Sequence, residues 1–348
     1  MPSNPPTNIG LGLVWWSARN PPADPTVSLS GRTVLITGAN VGLGLEAAVK
    51  IAALGAKGLI LGVRSLQKGE DTKRQICQRT GYDPNKVRYY ELDMSRFASV
   101  ESFAKTVEEN EPRVDAAILN AGTVAPAFVL SPEGYETILQ VNVLSTALLG
   151  VLLLPQLQKS ATISGTASHL EFVGSVAHHS VKASQFDLSP ERSIIDQVNS
   201  KSFFGLTVNY HVSKLLLMYV MEGLVQATTT RMPGRGEPNV IITNVCPCLC
   251  RTNLGRDFGS PMKLANYLFH LPFARTAEEG SRTLVSGITL GPEANGEFWS
   301  HDILYPKGDL VTSAEGKALQ KRVWKEIVDI LSKNVPDFDG RLSRLRGR

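Results

Sequence analysis

The sequence predicts an α/β fold, a doubly wound parallel sheet in a three-layer αβα sandwich, and three observations predict it. From residue 32 onward, short apolar runs alternate with amphipathic stretches of helical period, the pattern of parallel strands joined by crossover helices. The first apolar run ends in a glycine-rich turn that opens straight into a helical stretch. At 348 residues and 43% hydrophobic composition, the chain can bury one large core. These features predict a single domain over residues 31–330, with an arm at 1–30, a substrate lid at about 253–275 and a tail at 331–348.

The elements follow in order. "TVLITG" reads as a buried strand, "LGLEAAVKIAALG" as a helix with a glycine stop, "GLILGVR" as a second strand and "SLQKGEDTKRQICQRTG" as an amphipathic helix. "VRYYELDM", "VDAAILNAG", "HLEFVGSV" and "NVIITNVCP" are the later strands. Between them lie the helices "SVESFAKTVEEN", "TILQVNVLSTALLGVLLLPQL" and "NYHVSKLLLMYVMEGLVQAT".

Several classes of protein are disfavoured. A net charge of +4 with no dense basic stripe argues against nucleic acid, and "RLSRLRGR" at the end reads as a solvated tail. The longest apolar run, "VLSTALLGVLLLP", stops at a proline, short of the roughly 18 to 20 residues of a spanning helix. It is expected to be a buried core helix. The first thirty residues lack a basic n-region and an apolar h-region, so an intracellular, cytoplasmic and reducing setting is expected. Their prolines predict a non-helical arm, with "LGLVWW" packed on the domain or capping a pocket. Four cysteines cannot staple a chain of this length, and Cys246, Cys248 and Cys250 in "CPCLC" lack the paired spacing of a structural zinc site. No metal is expected; small apolar side chains at the end of a buried strand are.

The turn "TGANVGLG" carries Gly38, Asn40, Val41, Gly42, Leu43 and Gly44. Glycines there let the backbone approach a pyrophosphate, whose charge sits at the following helix N-terminus. That combination marks a Rossmann-type dinucleotide site. At the end of the second strand stands Arg64, with no acidic residue beside it. An arginine there suits the additional phosphate of NADP(H), whereas an acid would bind the ribose of NAD; the bland alternative is a surface arginine. Asp93 and Met94 end the third strand and are expected at the adenine. Asn120, Ala121 and Gly122 end the fourth, beside the cofactor.

"NYHVSK" sets Tyr210 and Lys214 four apart on one helix face. A nearby ammonium is expected to lower the phenol pKa and so make it a proton donor and acceptor. Ser175, after the fifth strand, is placed to hydrogen-bond a substrate carbonyl, and Asn142 to hold a water that relays protons to Lys214. Strand capping by Ser175 and helix tethering by Asn142 are the structural alternatives. A hydrolytic Ser/His site with His178 or His179 is disfavoured, since no G-x-S-x-G elbow is present.

With these residues in hand, the chain resembles the short-chain dehydrogenase/reductase family over about residues 31–330. The motif residues Thr37 to Gly44, Asn120 to Gly122, Asn142, Ser175, Tyr210 and Lys214 occur in the family's order. "GVRSLQKGE", "LDMSRFASVESFA", "SPEGYETILQVNVL", "GSVAH" and "YHVSKL" are similar to the retinol-dehydrogenase and WW-domain-oxidoreductase branch and to fungal secondary-metabolism reductases. The resemblance implies hydride transfer between NADP(H) and a carbonyl or alcohol. Tyr210 would be the proton donor, Ser175 would orient the oxygen, Lys214 would hold the nicotinamide ribose, and Asn142 would complete the relay. It also implies that Pro247, Leu249 and Thr252 meet the cofactor, and that a homodimer through the helices bearing Asn142 and Tyr210 is an option.

Two departures stand out. Ser175 and Tyr210 are separated by an insert, and Cys248 occupies the position where the family's glycine is usual. The substrate pocket is expected to involve Ser175, Val176, Phe204, Cys248 and Leu249, with Phe203 nearby. The lid "NLGRDFGSPMKLANYLFHLPFA" predicts a bulky, largely apolar small molecule, although its apolar groups would equally pack on the sheet. A non-redox biosynthetic enzyme on the same scaffold and an NADP-binding regulator without turnover are the alternative readings.

Overall fold

The computed structural model describes residues 4–6, 9–229, 238–252 and 272–346. Eight strands form one sheet in the order β3-β2-β1-β4-β5-β6-β7-β8. They are β1 Thr33–Thr37, β2 Gly58–Val63, β3 Val87–Glu91, β4 Ala116–Leu119, β5 Ser168–Val173, β6 Val240–Val245, β7 Phe298–Ser300 and β8 Ile303–Leu304. The first seven are parallel, and β8 returns antiparallel to β7. The predicted doubly wound α/β sheet is therefore present, extended by a pair, β7 and β8, that sequence periodicity did not indicate.

β1, β2, β4, β5 and β6 are buried at every position, as strands covered on both faces must be. Helices Gly42–Ala53, Leu66–Thr80 and Ala277–Gly287 cover one face. Phe97–Asn110, Thr137–Ser164 and Leu206–Thr229 cover the other. The chain winds outward from β1 to β3 and then crosses to β4 on the opposite side. That reversal opens a crevice at the C-terminal ends of β1 and β4, where ligands bind in open α/β sheets.

The Thr137–Ser164 helix bears out the buried core helix expected of its apolar run and corrects only its length. It is long and apolar enough to cross a membrane by length and composition, yet 94% of its most apolar window is buried inside the fold. It also continues through Pro155, which lies on the helix's exposed side, while Leu153, Leu154 and Leu157 bury into the core. Burial of those leucines, at about 1.5–3 kcal/mol each, outweighs the roughly 3 kcal/mol cost of an internal proline.

Both chain ends differ from expectation. The arm is not non-helical: Leu11–Arg19 forms a helix between the flanking prolines, with Leu13 and Ser17 buried one turn apart. The "LGLVWW" segment does pack on the domain, with Trp16 edge-on to His301 at 5.4 Å between ring centres. Nor is the end "RLSRLRGR" wholly solvated, since Leu342 and Leu345 within it are buried. The Ala314–Asn334 helix carries Leu331 into the core, and the Phe338–Arg346 helix follows with Phe338, Leu342 and Leu345 buried at helical spacing. These two helices lie on the Leu206–Thr229 helix, where Lys317 pairs with Glu222 at 2.7 Å and Trp324 stacks on Gly223. They occupy one face of the Tyr210-bearing helix, through which a homodimer was one option.

One buried acid is left without a partner. Glu171, in the middle of β5, is wholly buried, and neither carboxylate oxygen has a hydrogen-bond partner among the described residues. The carboxyl presses on Gly287, and burial pushes its pKa well above the ordinary value. The folded state therefore holds it neutral, whereas the unfolded chain ionises it above about pH 4.5. Its contribution to stability is greatest below that pH and falls as pH rises. Glu171→Gln is expected to remove this fall and to exceed wild type by about 1–3 kcal/mol at pH 8. Denaturant unfolding at pH 5 to 8 checks it; parallel pH curves for the two proteins refute it.

Candidate active site

The crevice has a volume of about 370 Å³ and runs from the glycine turn after β1 to the loop after β6. Its cradle is built from residues 38–44. Gly38 has φ +66°, and a Cβ there would come within 3.1 Å of the Ala121 backbone. At Gly44 a Cβ would meet the Gly38 carbonyl oxygen at 2.5 Å and the Asn120 amide nitrogen at 2.6 Å. Val41 then enters the Gly42–Ala53 helix with no side-chain cap, so the first N–H groups face the crevice as an anion site.

The loops after β1 and β4 are pinned together. Asn120 Nδ2 donates to the Thr37 carbonyl at 2.9 Å and to the Gly38 carbonyl at 3.3 Å, and Ala121 N donates to Thr37 Oγ1 at 2.9 Å. Gly38, Asn40, Val41, Gly42, Leu43, Asn120, Ala121 and Gly122 all line the crevice, while Gly44 sits behind the wall as a packing glycine.

At the β2 end Arg64 is exposed on the crevice rim, as the sequence placed it, and Lys68 joins it from the next helical turn. Ser65 caps that helix by accepting from Lys68 N at 3.4 Å. Sequence reasoning passed over Lys68, although its spacing of four from Arg64 on a helix start was the available signal. Met94 lines the crevice together with Leu92, but Asp93 does not. Its carboxylate instead accepts from Ser95 N at 3.0 Å and Ser95 Oγ at 2.8 Å, closing a local turn.

Asn142, Ser175, Tyr210 and Lys214 converge on the same crevice. Asn142 lies in a π-helical turn, Gln140–Leu144, inside the long core helix; such turns are frequent at functional sites. Its Oδ1 accepts from Thr123 N at 2.8 Å, while Nδ2 donates to the Thr123 carbonyl at 3.0 Å and Ser213 Oγ at 3.2 Å. Both amide hydrogens are thus engaged. Lys214 is buried and donates to the Val173 carbonyl at 2.8 Å, with Nζ 5.5 Å from the Tyr210 ring centre. Burial lowers its pKa to about 8.

Tyr210 reverses one expectation. Its pKa is pushed up to about 12, chiefly by burial and then by the nearby Cys246 thiol, while a hydrogen bond with Ser175 pulls the other way. The phenol is therefore held protonated at neutral pH. Ser175 follows Gly174 at the end of β5 and caps a short 3₁₀ turn, accepting from Ala177 N at 3.1 Å. His178 fixes this turn: its Nδ1 lies 2.7 Å from the Ser175 carbonyl, and its Nε2 accepts from Gly308 N at 3.1 Å. Burial drops the His178 pKa to about 3. With both ring nitrogens occupied by backbone groups, His178 is a neutral strut and supplies no base to Ser175.

The loop after β6 supplies Pro247, Cys248, Leu249, Cys250 and Thr252 to the wall. Among the described residues no cluster of metal ligands occurs. Cys248 keeps the left-handed backbone a glycine would prefer, with φ +65°. Val176 and Phe204 do not line the crevice: Val176 N donates to Cys246 Sγ at 3.3 Å, and Phe204 packs on Phe128 at 5.9 Å between ring centres. Most of the expected lid, residues 253–271 with Tyr267, lies outside the described residues.

A pyrophosphate cradle at the strand-order reversal, a rim of two cations and a Tyr/Lys pair beside a serine together define a nicotinamide-dinucleotide oxidoreductase of the α/β class. Comparison with known proteins narrows this. The short chain dehydrogenase profile matches residues 32–187. A short-chain dehydrogenase/reductase of Aspergillus flavipes is 47% identical over 97% of each chain, and one of Phaeosphaeria nodorum is 43% identical over 94% of each. An uncharacterised protein from Mycobacterium paratuberculosis superposes with a TM-score of 0.59 at 25% identity, covering 90% of this chain and 97% of that one. An alcohol dehydrogenase of Thermococcus sibiricus, solved with 5-hydroxy-NADP, shares the fold at a TM-score of 0.55 and 20% identity, covering 77% and 94%. The chain belongs to the short-chain dehydrogenase/reductase family.

The left-handed backbone at Cys248 costs about 1–2 kcal/mol, and glycine there would lose about 0.5–1 kcal/mol of chain entropy together with the sulfur's contacts. Cys248→Gly is accordingly expected to shift unfolding stability by less than about 1 kcal/mol. A loss above about 3 kcal/mol on denaturant titration would show that the thiol contacts dominate.

Proposed function

We propose that this chain is an NADP(H)-dependent oxidoreductase acting on a carbonyl or alcohol of a bulky, largely apolar small molecule, in secondary metabolism. The observation that carries this reading is the meeting of Asn142, Ser175, Tyr210 and Lys214 in one crevice with the glycine cradle. Gly38 and Gly44 let the turn close tightly on Ala121 and Asn120, which shapes the backbone for a pyrophosphate. Arg64 and Lys68 on the rim suit an additional phosphate and give a nucleotide monophosphate its counter-charge.

When bound, the nicotinamide supplies or accepts the hydride. Tyr210, held protonated, hands its proton to the carbonyl oxygen during reduction, and Ser175 hydrogen-bonds that oxygen as charge develops on it. Lys214 spends one donor on Val173 and keeps two for a ribose hydroxyl or a water. With its pKa near 8, it can return a proton to Tyr210 at neutral pH. Asn142 fixes the Thr123 wall, and only the second lone pair of its Oδ1 is left for a relay water. Leu92, Met94, Val141 and Leu249 make the remaining wall apolar.

Loss of NADPH absorbance over a panel of apolar ketones and aldehydes tests this reading. Tyr210→Phe is expected to lower kcat by about 10²–10⁴-fold with binding of NADPH retained. The wild-type reduction rate should fall as pH rises through about 8, because Lys214 must be an ammonium to pass a proton on. Turnover of substrate without any change in nicotinamide absorbance would instead favour non-redox chemistry. For the cofactor, Arg64→Ala and Lys68→Ala should each weaken NADP binding by about tenfold and leave NAD nearly unaffected. Equal wild-type affinity for both dinucleotides would overturn the NADP assignment.

A further inference from the structure

Cys248 does not stand alone in the crevice wall. Its Sγ lies 3.1 Å from His301 Nε2 and 3.6 Å from Ser300 Oγ. Ser300 Oγ is also 3.0 Å from the Cys246 carbonyl and 3.0 Å from His301 Nδ1. A carbonyl only accepts, so the Ser300 hydroxyl donates to it, and His301 Nδ1 must then be the N–H that donates to Ser300. The imidazole is thereby fixed in the tautomer whose Nε2 lone pair faces Cys248. Nucleophile, base and orienting third group stand in the relation that activates a catalytic thiol.

The surroundings support this. His301 is buried beneath Trp16 and Tyr305, and Ser17 Oγ lies 2.8 Å from Nε2, sharing that lone pair with Cys248 while the ring is neutral and accepting from Nε2 once the ring takes a proton. The guanidinium of Arg275 is buried nearby, bonded to the Pro247 carbonyl at 3.3 Å. Interactions with Cys246 and His301, with the charge of Arg275, bring the Cys248 thiol well below its ordinary range. Cys77 and Cys250 are raised, chiefly by burial, and Cys246 is raised by its bond to Cys248 and by burial. Cys248 is thus the only one of the four cysteines whose thiolate is favoured.

We propose that Cys248, with His301 as its base and Ser300 as the orienting group, is a nucleophilic thiol site that adds to α,β-unsaturated carbonyl compounds in the crevice. A soft thiolate prefers the β-carbon of such a compound. The thiol proton passes to His301 Nε2, and a carbon–sulfur bond forms as the carbon–carbon double bond opens. The electron pair moves to the carbonyl oxygen, and the proton then goes to the α-carbon. Nothing is oxidised or reduced and no group leaves. Ser175 and Tyr210, which line the same crevice, are the hydrogen-bonding groups available to the enolate oxygen. The site goes beyond hydride transfer and does not require it.

The test uses the full chain without added nicotinamide, 2-cyclohexen-1-one as probe, and mass spectrometry of intact protein and peptides. One adduct of the whole enone mass is expected at Cys248, formed at pH 7 about tenfold or more faster than on glutathione. Its pH–rate inflection should lie below that of glutathione. His301→Gln should slow the addition about tenfold and move the inflection upward, and Ser300→Ala should slow it less. Adducts at Cys77 in preference to Cys248, or a Cys248 rate and inflection matching glutathione, would overturn the proposal. Should His301→Gln fail to fold, the wild-type comparison with glutathione decides alone. No hydride is read, so failure here leaves the redox reading standing, and failure of NADPH turnover leaves this one standing.

Discussion

The crevice depends on the pin between two diverging loops. At the point where strand order reverses, β1 and β4 remain paired while the chains leaving them turn to opposite faces. The Asn120 amide and the Thr37 hydroxyl hold those departing chains together with bonds of 2.9 to 3.3 Å. Without this tie, the glycine turn would lose the close approach that Gly38 and Gly44 permit. Sheet register alone ends at Thr37 and Leu119 and cannot set the loops beyond.

The polar groups of the crevice are positioned by backbone contacts from neighbouring strands more than by one another. Lys214 is held by Val173 at the end of β5, Ser175 by a turn that His178 locks to Gly308, and Asn142 by Thr123 after β4. Each side chain is thereby tied to the C-terminal edge of the sheet. Burial sets the electrostatics: it lowers Lys214 to about 8 and raises Tyr210 to about 12, driving apart two pKa values that are nearly equal in water.

Much of this was legible in the sequence because it is local. Six of the eight strands, the cradle, Arg64 and the Tyr210/Lys214 pair are each signalled within a short window of residues. What escaped is joined over long separations. β7 and β8 are short, and nothing in their own residues announces that they close the sheet beside β6. Asp93 sat in the right place by spacing, but a neighbouring serine captured its carboxylate. Phe204 was apolar and near by sequence, yet an aromatic partner at Phe128 drew it away from the crevice. The Leu11–Arg19 helix was obscured by the prolines around it, which bound the helix without entering it.

That first helix is fastened to the far end of the chain. Arg275 donates from Nε to the Ser17 carbonyl and from Nη2 to the Asn20 carbonyl, both at 2.8 Å, while Nη1 reaches Pro247. His301 meets Ser17 and Cys248 through one nitrogen. Residues 17, 248, 275 and 301 therefore belong to one hydrogen-bonded unit drawn from distant parts of the sequence. The seat of the first helix and the crevice wall at Cys248 are built from the same side chains, so the placement of one sets the placement of the other.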